Sequence, residues 1–195
     1  MLDTHGRQYL DPLINGSAHI LSRMGIRPDQ VTWLAFLAGI ASAMMILPGL
    51  RLLSVFLLWV SGFLDTLDGA LARETRRSSS WGTVLDITFD RLVELALIIC
   101  LALTDHHIWP AMILLLSGII FSMTIFLTVG ALSEKASSKS FYYQAGLMER
   151  TEGFIFFSIM ILFRNIRVPV TFLFSTLIII TGFQRLFEAR RLFRK

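Results

Sequence analysis

A single cysteine, Cys100, occurs in the 195 residues, so no internal disulfide can form and a bridge-stapled secreted scaffold is excluded. Charge is scarce as well: 16% of residues are Asp, Glu, Lys or Arg, against about 25% in an ordinary soluble globule. Five prolines and 13 glycines are too few for a collagenous or proline-rich chain. No repeat or low-complexity tract appears, and 54% hydrophobic residues exclude disorder. The length is that of one domain, so residues 1–195 are read as a single unit. What charge there is leans positive, 18 Lys and Arg against 14 Asp and Glu. Such a surplus serves nucleic acid or an anionic membrane face. With so apolar a chain the bilayer is the expected partner, and nucleic acid is not.

A hydrocarbon core of about 30 Å needs roughly 20 apolar residues in helical form. Six stretches qualify: Gln30 to Leu47, Leu52 to Ala72, Gly82 to Leu103, Ile108 to Leu132, Gly146 to Phe163 and Val168 to Phe187. Short polar turns such as Pro48-Gly49 separate them, which favours antiparallel neighbours. The expected fold is an all-α integral membrane protein, a six-transmembrane-helix bundle over residues 30–187.

Fourteen of the Lys and Arg residues fall on one side of these spans, and three, Arg51, Arg164 and Arg167, on the other. The positive-inside rule therefore puts both termini in the cytoplasm. Residues 188–195 read as a basic cytoplasmic tail. Residues 1–28 do not read as a secretory signal, because Asp3, His5, Arg7, Gln8 and Asp11 interrupt any early apolar core. Leu10, Leu13, Ile14, His19-Ile20 and Leu21 instead outline an N-terminal interfacial amphipathic helix ending near Gly25.

The anomaly lies in the second and third spans, which hold Asp65, Asp68, Asp86, Asp90 and Glu94. Carboxylates inside a bilayer cost several kcal/mol, so a function is expected of them. Asp65 and Asp68 are spaced i, i+3 and Asp86 and Asp90 i, i+4, so each pair shares a helical face. Both pairs flank the loop from Arg73 to Trp81, and at about 1.5 Å per residue all four lie within roughly 6 to 12 Å of its ends. Two antiparallel helices would bring them to one depth. Clustered carboxylates repel unless something positive joins them, and all-oxygen ligands suit Mg²⁺, Mn²⁺ or Ca²⁺ rather than zinc. Three readings stay open on charge pattern alone: a metal site, an ion path, and structural pairing with Arg91. Gly69, Ala70, Ala72 and Gly82 sit among the acids, where small side chains leave room for a ligand. Arg73, Arg76 and Arg77 follow at the rim, suited to phosphate.

Taken together, Asp65-Thr-Leu-Asp68-Gly69-Ala-Leu-Ala72-Arg73, then eight residues, then Gly82-Thr-Val-Leu-Asp86-Ile-Thr-Phe-Asp90 resembles, at every defined position, the signature of the CDP-alcohol phosphotransferase family of membrane enzymes. Upstream, Pro28-Asp29-Gln30-Val31-Thr32 is similar to the family's entry to the first span, with Asp29 in place of the usual Asn. The resemblance implies transfer of a substituted phosphate from a CDP-linked donor to an alcohol, with release of CMP. It implies two divalent cations, Mg²⁺ or Mn²⁺, on Asp65, Asp68 and Asp86, with Asp90 completing the site and serving as general base. Gly69, Ala72, Arg73, Gly82 and Thr32 would contact the nucleotide. A homodimer is expected, as is a bacterial or archaeal plasma (inner) membrane, with the site open to the cytoplasm.

The short chain resembles the compact prokaryotic phosphatidyltransferases, which points to CDP-diacylglycerol as donor and a small polar alcohol as acceptor. A CDP-amino-alcohol:diacylglycerol phosphotransferase is the alternative enzyme, and a small cation transporter using the same acids is the rival of another class. Lys135, Arg150 and Arg185 could clamp a phosphorylated acceptor, such as inositol phosphate or glycerol 3-phosphate.

Overall fold

The computed structural model describes residues 2–133 and 146–194; Lys135, Lys139, Tyr142 and Tyr143 lie outside them. Among the described residues the chain is all-helical. The helices are α1 (Leu2–Arg23), α2 (Pro28–Ile46), α3 (Arg51–Glu74), α4 (Ser80–Thr104), α5 (Trp109–Ser133), α6 (Arg150–Leu162) and α7 (Arg167–Phe193), with short 3₁₀ turns at His106–Ile108 and Arg164–Ile166.

Local chemistry explains the breaks. Pro28 opens α2, where its missing N–H costs nothing. There the Gln30 side chain accepts the Arg27 N–H at 2.9 Å. Three helices end in the same turn, in which two backbone amides reach back over the last carbonyls. After α1 these are Gly25 N–H to Ser22 O and Ile26 N–H to Leu21 O. After α2 they are Gly49 N–H to Ile46 O and Leu50 N–H to Met45 O, and after α3 Arg76 N–H to Arg73 O and Arg77 N–H to Ala72 O. The turn needs a left-handed residue, and Gly25 (φ +74°) and Gly49 (φ +79°) supply it without strain. After α3 that position is Arg76, at φ +53°.

Among the described residues four stretches are long and apolar enough to cross a membrane: Pro28–Ile46, Arg51–Glu74, His106–Ser133 and Arg164–Phe193. Large apolar side chains such as Leu37, Phe56, Leu103, Ile113 and Leu173 face outward, a surface that suits lipid rather than water. The other two expected spans differ from this pattern for visible reasons. Helix α4 has the length, but Asp86, Asp90, Arg91 and Glu94 lie along it. Helix α6 starts at Arg150, four residues later than expected, and its 13 residues reach only about 20 Å. Helix α7 runs past Phe187 to Phe193, so most of the expected basic tail is helix.

The chain forms two compact units, one spanning Thr4–His106 and the other from His107 onward. In the first, α2 packs on both α3 and α4, which make far fewer direct contacts with each other. Polar bonds fasten α2 to α3: the Ser42 hydroxyl donates to Ser54 O at 2.7 Å and the Ser54 hydroxyl to Ser42 O at 2.8 Å. The Ser61 hydroxyl donates to Ala35 O at 2.7 Å. Between helices in lipid, small residues and such bonds replace the hydrophobic effect as the source of adhesion. Toward α4 the contact is steric, with Gly39 pressed against Val93.

In the second unit α5 packs on α7, through Gly118 near Ile178 and Ile179, and Gly182 against Phe121. Phe156 stacks on Phe174 at 4.8 Å and Phe157 meets it edge-on, so these rings join α6 to α7. Arg167, expected as an external cation, is buried, and its Nε donates to Met160 O at 2.8 Å.

Candidate metal centre and active site

The last turns of α3 and the first turns of α4 carry the acids. Leu67, Ala70 and Leu71 are buried behind α3, which turns the intervening Asp68 and Gly69 away from that packed face. The side chain of Ser79 caps α4 by accepting the Gly82 N–H at 3.0 Å. Buried Leu85 and Val93 fix the inward stripe of that helix, next to which Asp86 lies half-buried. One carboxylate oxygen from each of Asp65, Asp68 and Asp86 falls within 4.8 Å of the others. Oxygens on opposite sides of a cation bound at about 2.0 to 2.5 Å stand at such separations.

The donor set is all oxygen, which suits a hard divalent cation. Asp68 Oδ2 is buried and has no hydrogen-bond partner. A buried carboxylate oxygen left unsatisfied costs about 1 to 3 kcal/mol or more, and a cation at the centre of the three acids would satisfy it. The residues fit the metal that the sequence implies.

Asp90, one turn beyond Asp86, is outside the group of three but stands in the field of Asp86, Arg91, Glu94 and Asp68. Arg91 pairs with Glu94 of its own helix at 2.5 Å, so its ion pair staples α4 and does not bridge to α3. Thr32 of α2 is close enough to Asp68 to interact with it, while its hydroxyl also donates to Pro28 O at 3.1 Å.

Among the described residues the two signature glycines meet no neighbouring helix. A Cβ on Gly69 would touch only the Arg73 guanidinium at 3.4 Å, and one on Gly82 only the Ser79 hydroxyl at 3.2 Å. Arg73 thus folds back one turn over Gly69, and Ala72 next to it is half-buried. Gly39 is the opposite case: a Cβ there would stand 2.5 Å from a Val93 methyl. The sequence reading missed it, although Ala35, Gly39 and Ala43 repeat at i, i+4 and all are buried, which is a small-residue packing stripe.

Of the expected acceptor cations, Arg185 is buried in the second unit, donates to the Ser122 hydroxyl at 3.1 Å and lies 4.9 Å from the Phe126 ring centre. Arg150 stands 5.4 Å from the Phe154 ring centre, and Lys135 is outside the described residues. Ser122 and Phe126 were not anticipated, since nothing in their local sequence marks them.

With this geometry in hand, residues 26–184 match the family model described as CDP-alcohol phosphatidyltransferase. The chain belongs to that family. Among its relatives, the archaetidylinositol phosphate synthase of Pyrococcus horikoshii is 34% identical over 88% of this chain and 87% of that protein. The inner membrane protein YnjF of Escherichia coli is 30% identical over 96% of this chain and 95% of its own length. The crystal structure of Mycobacterium tuberculosis phosphatidylinositol phosphate synthase (PgsA1) in complex with manganese and citrate superposes with a TM-score of 0.69 at 26% identity, covering 90% of this chain and 88% of that one. The same protein with CDP-DAG bound gives a TM-score of 0.71 at 24% identity over 92% and 94% of the two chains. As a CDP-alcohol phosphatidyltransferase, the chain is a membrane enzyme of phospholipid synthesis that transfers a phosphatidyl group to an alcohol and releases CMP.

Proposed function

We propose that this transferase takes CDP-diacylglycerol as donor and an inositol phosphate as acceptor. Five relatives are named as synthases of an inositol phosphate lipid, and PgsA1 is known with CDP-DAG bound. The acceptor phosphate would meet Arg150 and Arg185, with Lys135 as a third cation; glycerol 3-phosphate carries the same charge and is the competing acceptor. Arg185 is already oriented by Ser122 and Phe126, which lowers the ordering cost of gripping an anion.

In this reading Asp90 takes the proton of the attacking hydroxyl. The freed oxygen attacks the phosphorus that bears the diacylglycerol, the P–O bond to the CMP phosphate breaks, and CMP leaves with the electron pair. Two divalent cations, Mg²⁺ or Mn²⁺, on Asp65, Asp68 and Asp86, with Asp90 completing the set, supply the charge that offsets the diphosphate. Gly69, Ala72 and Gly82 leave the nucleotide room, Arg73 faces its phosphates, and Thr32 would contact the nucleotide from α2. The observation that carries the reading is the convergence of three acids within 4.8 Å around an unsatisfied Asp68 oxygen.

Six spans in one domain of residues 1–195, α1 lying in the interface, and both termini and the site on the cytoplasmic side complete the proposal, with a homodimer as the assembly. Positive-inside asymmetry supports the orientation. In detergent with CDP-diacylglycerol and inositol phosphate, the purified protein is expected to release CMP only with Mg²⁺ or Mn²⁺. Asp90→Asn is expected to abolish release with the fold retained. Turnover with glycerol 3-phosphate but not inositol phosphate would overturn the acceptor, and no CMP with any polar alcohol would overturn the whole reading.

A further inference from the structure

Helix α1 does not simply float on the bundle. Its Ile14 and Ala18 are 4% and 1% exposed and cluster with Leu67, Ala70 and Leu71 of α3, the residues on either side of Asp68 and Gly69 in sequence. Next to that seat, His19 Nδ1 lies 2.7 Å from Glu74 Oε1, a bond between α1 and the last residue of α3. Glu74 follows Arg73 directly and is within three residues of Arg76 and Arg77. A carboxylate this close in sequence to three guanidinium groups is a potential charge-assisted partner for them. Here it pairs with His19, and no carboxylate among the described residues pairs with Arg73, Arg76 or Arg77.

We infer that His19 is a positioning residue: by holding Glu74 on α1 it keeps this internal anion off the arginines at the mouth of the acid cluster, leaving those groups for the phosphates of the CDP-linked donor. The inference rests on the donor site proposed above. A carboxylate released from His19 competes with substrate phosphate for the same guanidinium groups, so its effect falls on donor binding and not on the chemical step. A mere staple between α1 and α3 would behave differently, because deleting the second partner could not repair the loss of the first.

The test measures donor Kd by calorimetry and donor KM and kcat in mixed micelles of CDP-diacylglycerol. His19→Ala is expected to raise Kd and KM about two- to fivefold, the equilibrium equivalent of one exposed ion pair, with kcat unchanged. His19→Asn, whose amide can still donate to Glu74, is expected to match the wild type. The double variant His19→Ala/Glu74→Ala is expected to return to wild-type affinity, and the single effect to shrink in high salt. A double variant as weak as His19→Ala, or a His19→Ala protein with wild-type Kd, overturns the inference while leaving the donor site standing. Wild-type protein that binds no CDP-diacylglycerol overturns the donor site itself, and the inference with it.

Discussion

Gly39 offers a severe test, because a single methyl there is expected to disturb a site it does not touch. An added Cβ would stand 2.5 and 2.7 Å from the two Val93 methyls and 3.0 Å from the Ser61 hydroxyl, where ordinary contact begins at 3.4 Å. The shortfall is about 1 Å. Val93 is β-branched in a helix and has essentially one rotamer, so it cannot turn aside. Either α4 moves away from α2, or Ser61 gives up its bond to Ala35 O. Overpacking of this kind costs about 1 to 3 kcal/mol, which for a chain of this size lowers Tm by roughly 2 to 10 °C. Val93 shares its helical face with Asp90 and Asp86, three and seven residues earlier, so a displaced α4 carries both acids away from Asp65 and Asp68. A 1 Å misplacement of reacting groups costs about a hundredfold in rate. Gly39→Ala is therefore expected to reduce CMP release more than tenfold while lowering the melting temperature in detergent. Val93→Ala added to it removes the clashing methyls and is expected to recover most of both. Wild-type activity and Tm in Gly39→Ala, or failure of Val93→Ala to rescue, would refute the claim that this contact sets the spacing of the acids.

Asp68→Asn is expected to weaken Mn²⁺ binding at least tenfold, as followed by the free-ion signal in electron paramagnetic resonance; unchanged affinity would remove Asp68 from the ligand set. Arg76→Gly is expected to raise Tm, since a left-handed non-glycine residue costs about 1 to 2 kcal/mol and glycine relieves it; a lower Tm would mean that Arg76 makes compensating contacts. Arg185→Lys keeps the charge but loses the planar fork held by Ser122. It is expected to raise KM for a phosphorylated acceptor about tenfold with donor KM unchanged, and an unaffected acceptor KM would take Arg185 out of the acceptor site.

The acids were legible because charge is so expensive in an apolar run that Asp65, Asp68 and Asp86 stand out without any structure. Helix ends were legible wherever a local residue dictates them, as at Gly25, Pro28 and Gly49. The start of α6 was not. Apolar content alone extends that span back to Gly146, but the residues before Arg150 are held by partners far along the chain: the Met148 N–H donates to the Thr181 hydroxyl at 3.0 Å and the Leu147 N–H to the Gln184 side chain at 3.2 Å. No local signal encodes such bonds. The far end of α7 was misjudged for another reason. Hydropathy falls at Phe187, yet no Gly or Pro stops the helix there, so it continues to Phe193. Nothing in the local sequence marks Ser42, Ser54 and Ser61 as the fastenings between α2 and α3.

Those fastenings explain how a carboxylate cup can exist at all between two helices that touch so little. Like charges on α3 and α4 push the pair apart, and direct contact between the two helices is too sparse to resist. Helix α2 resists instead, gripping α3 by reciprocal serine bonds and α4 by the close approach at Gly39. The distance between the acids is therefore set from behind, by a helix that places Thr32 near Asp68. A cup braced in this way can stay open enough for a diphosphate to enter and still present Asp65, Asp68 and Asp86 at a fixed spacing. Close packing of α3 on α4 would have filled that space with side chains.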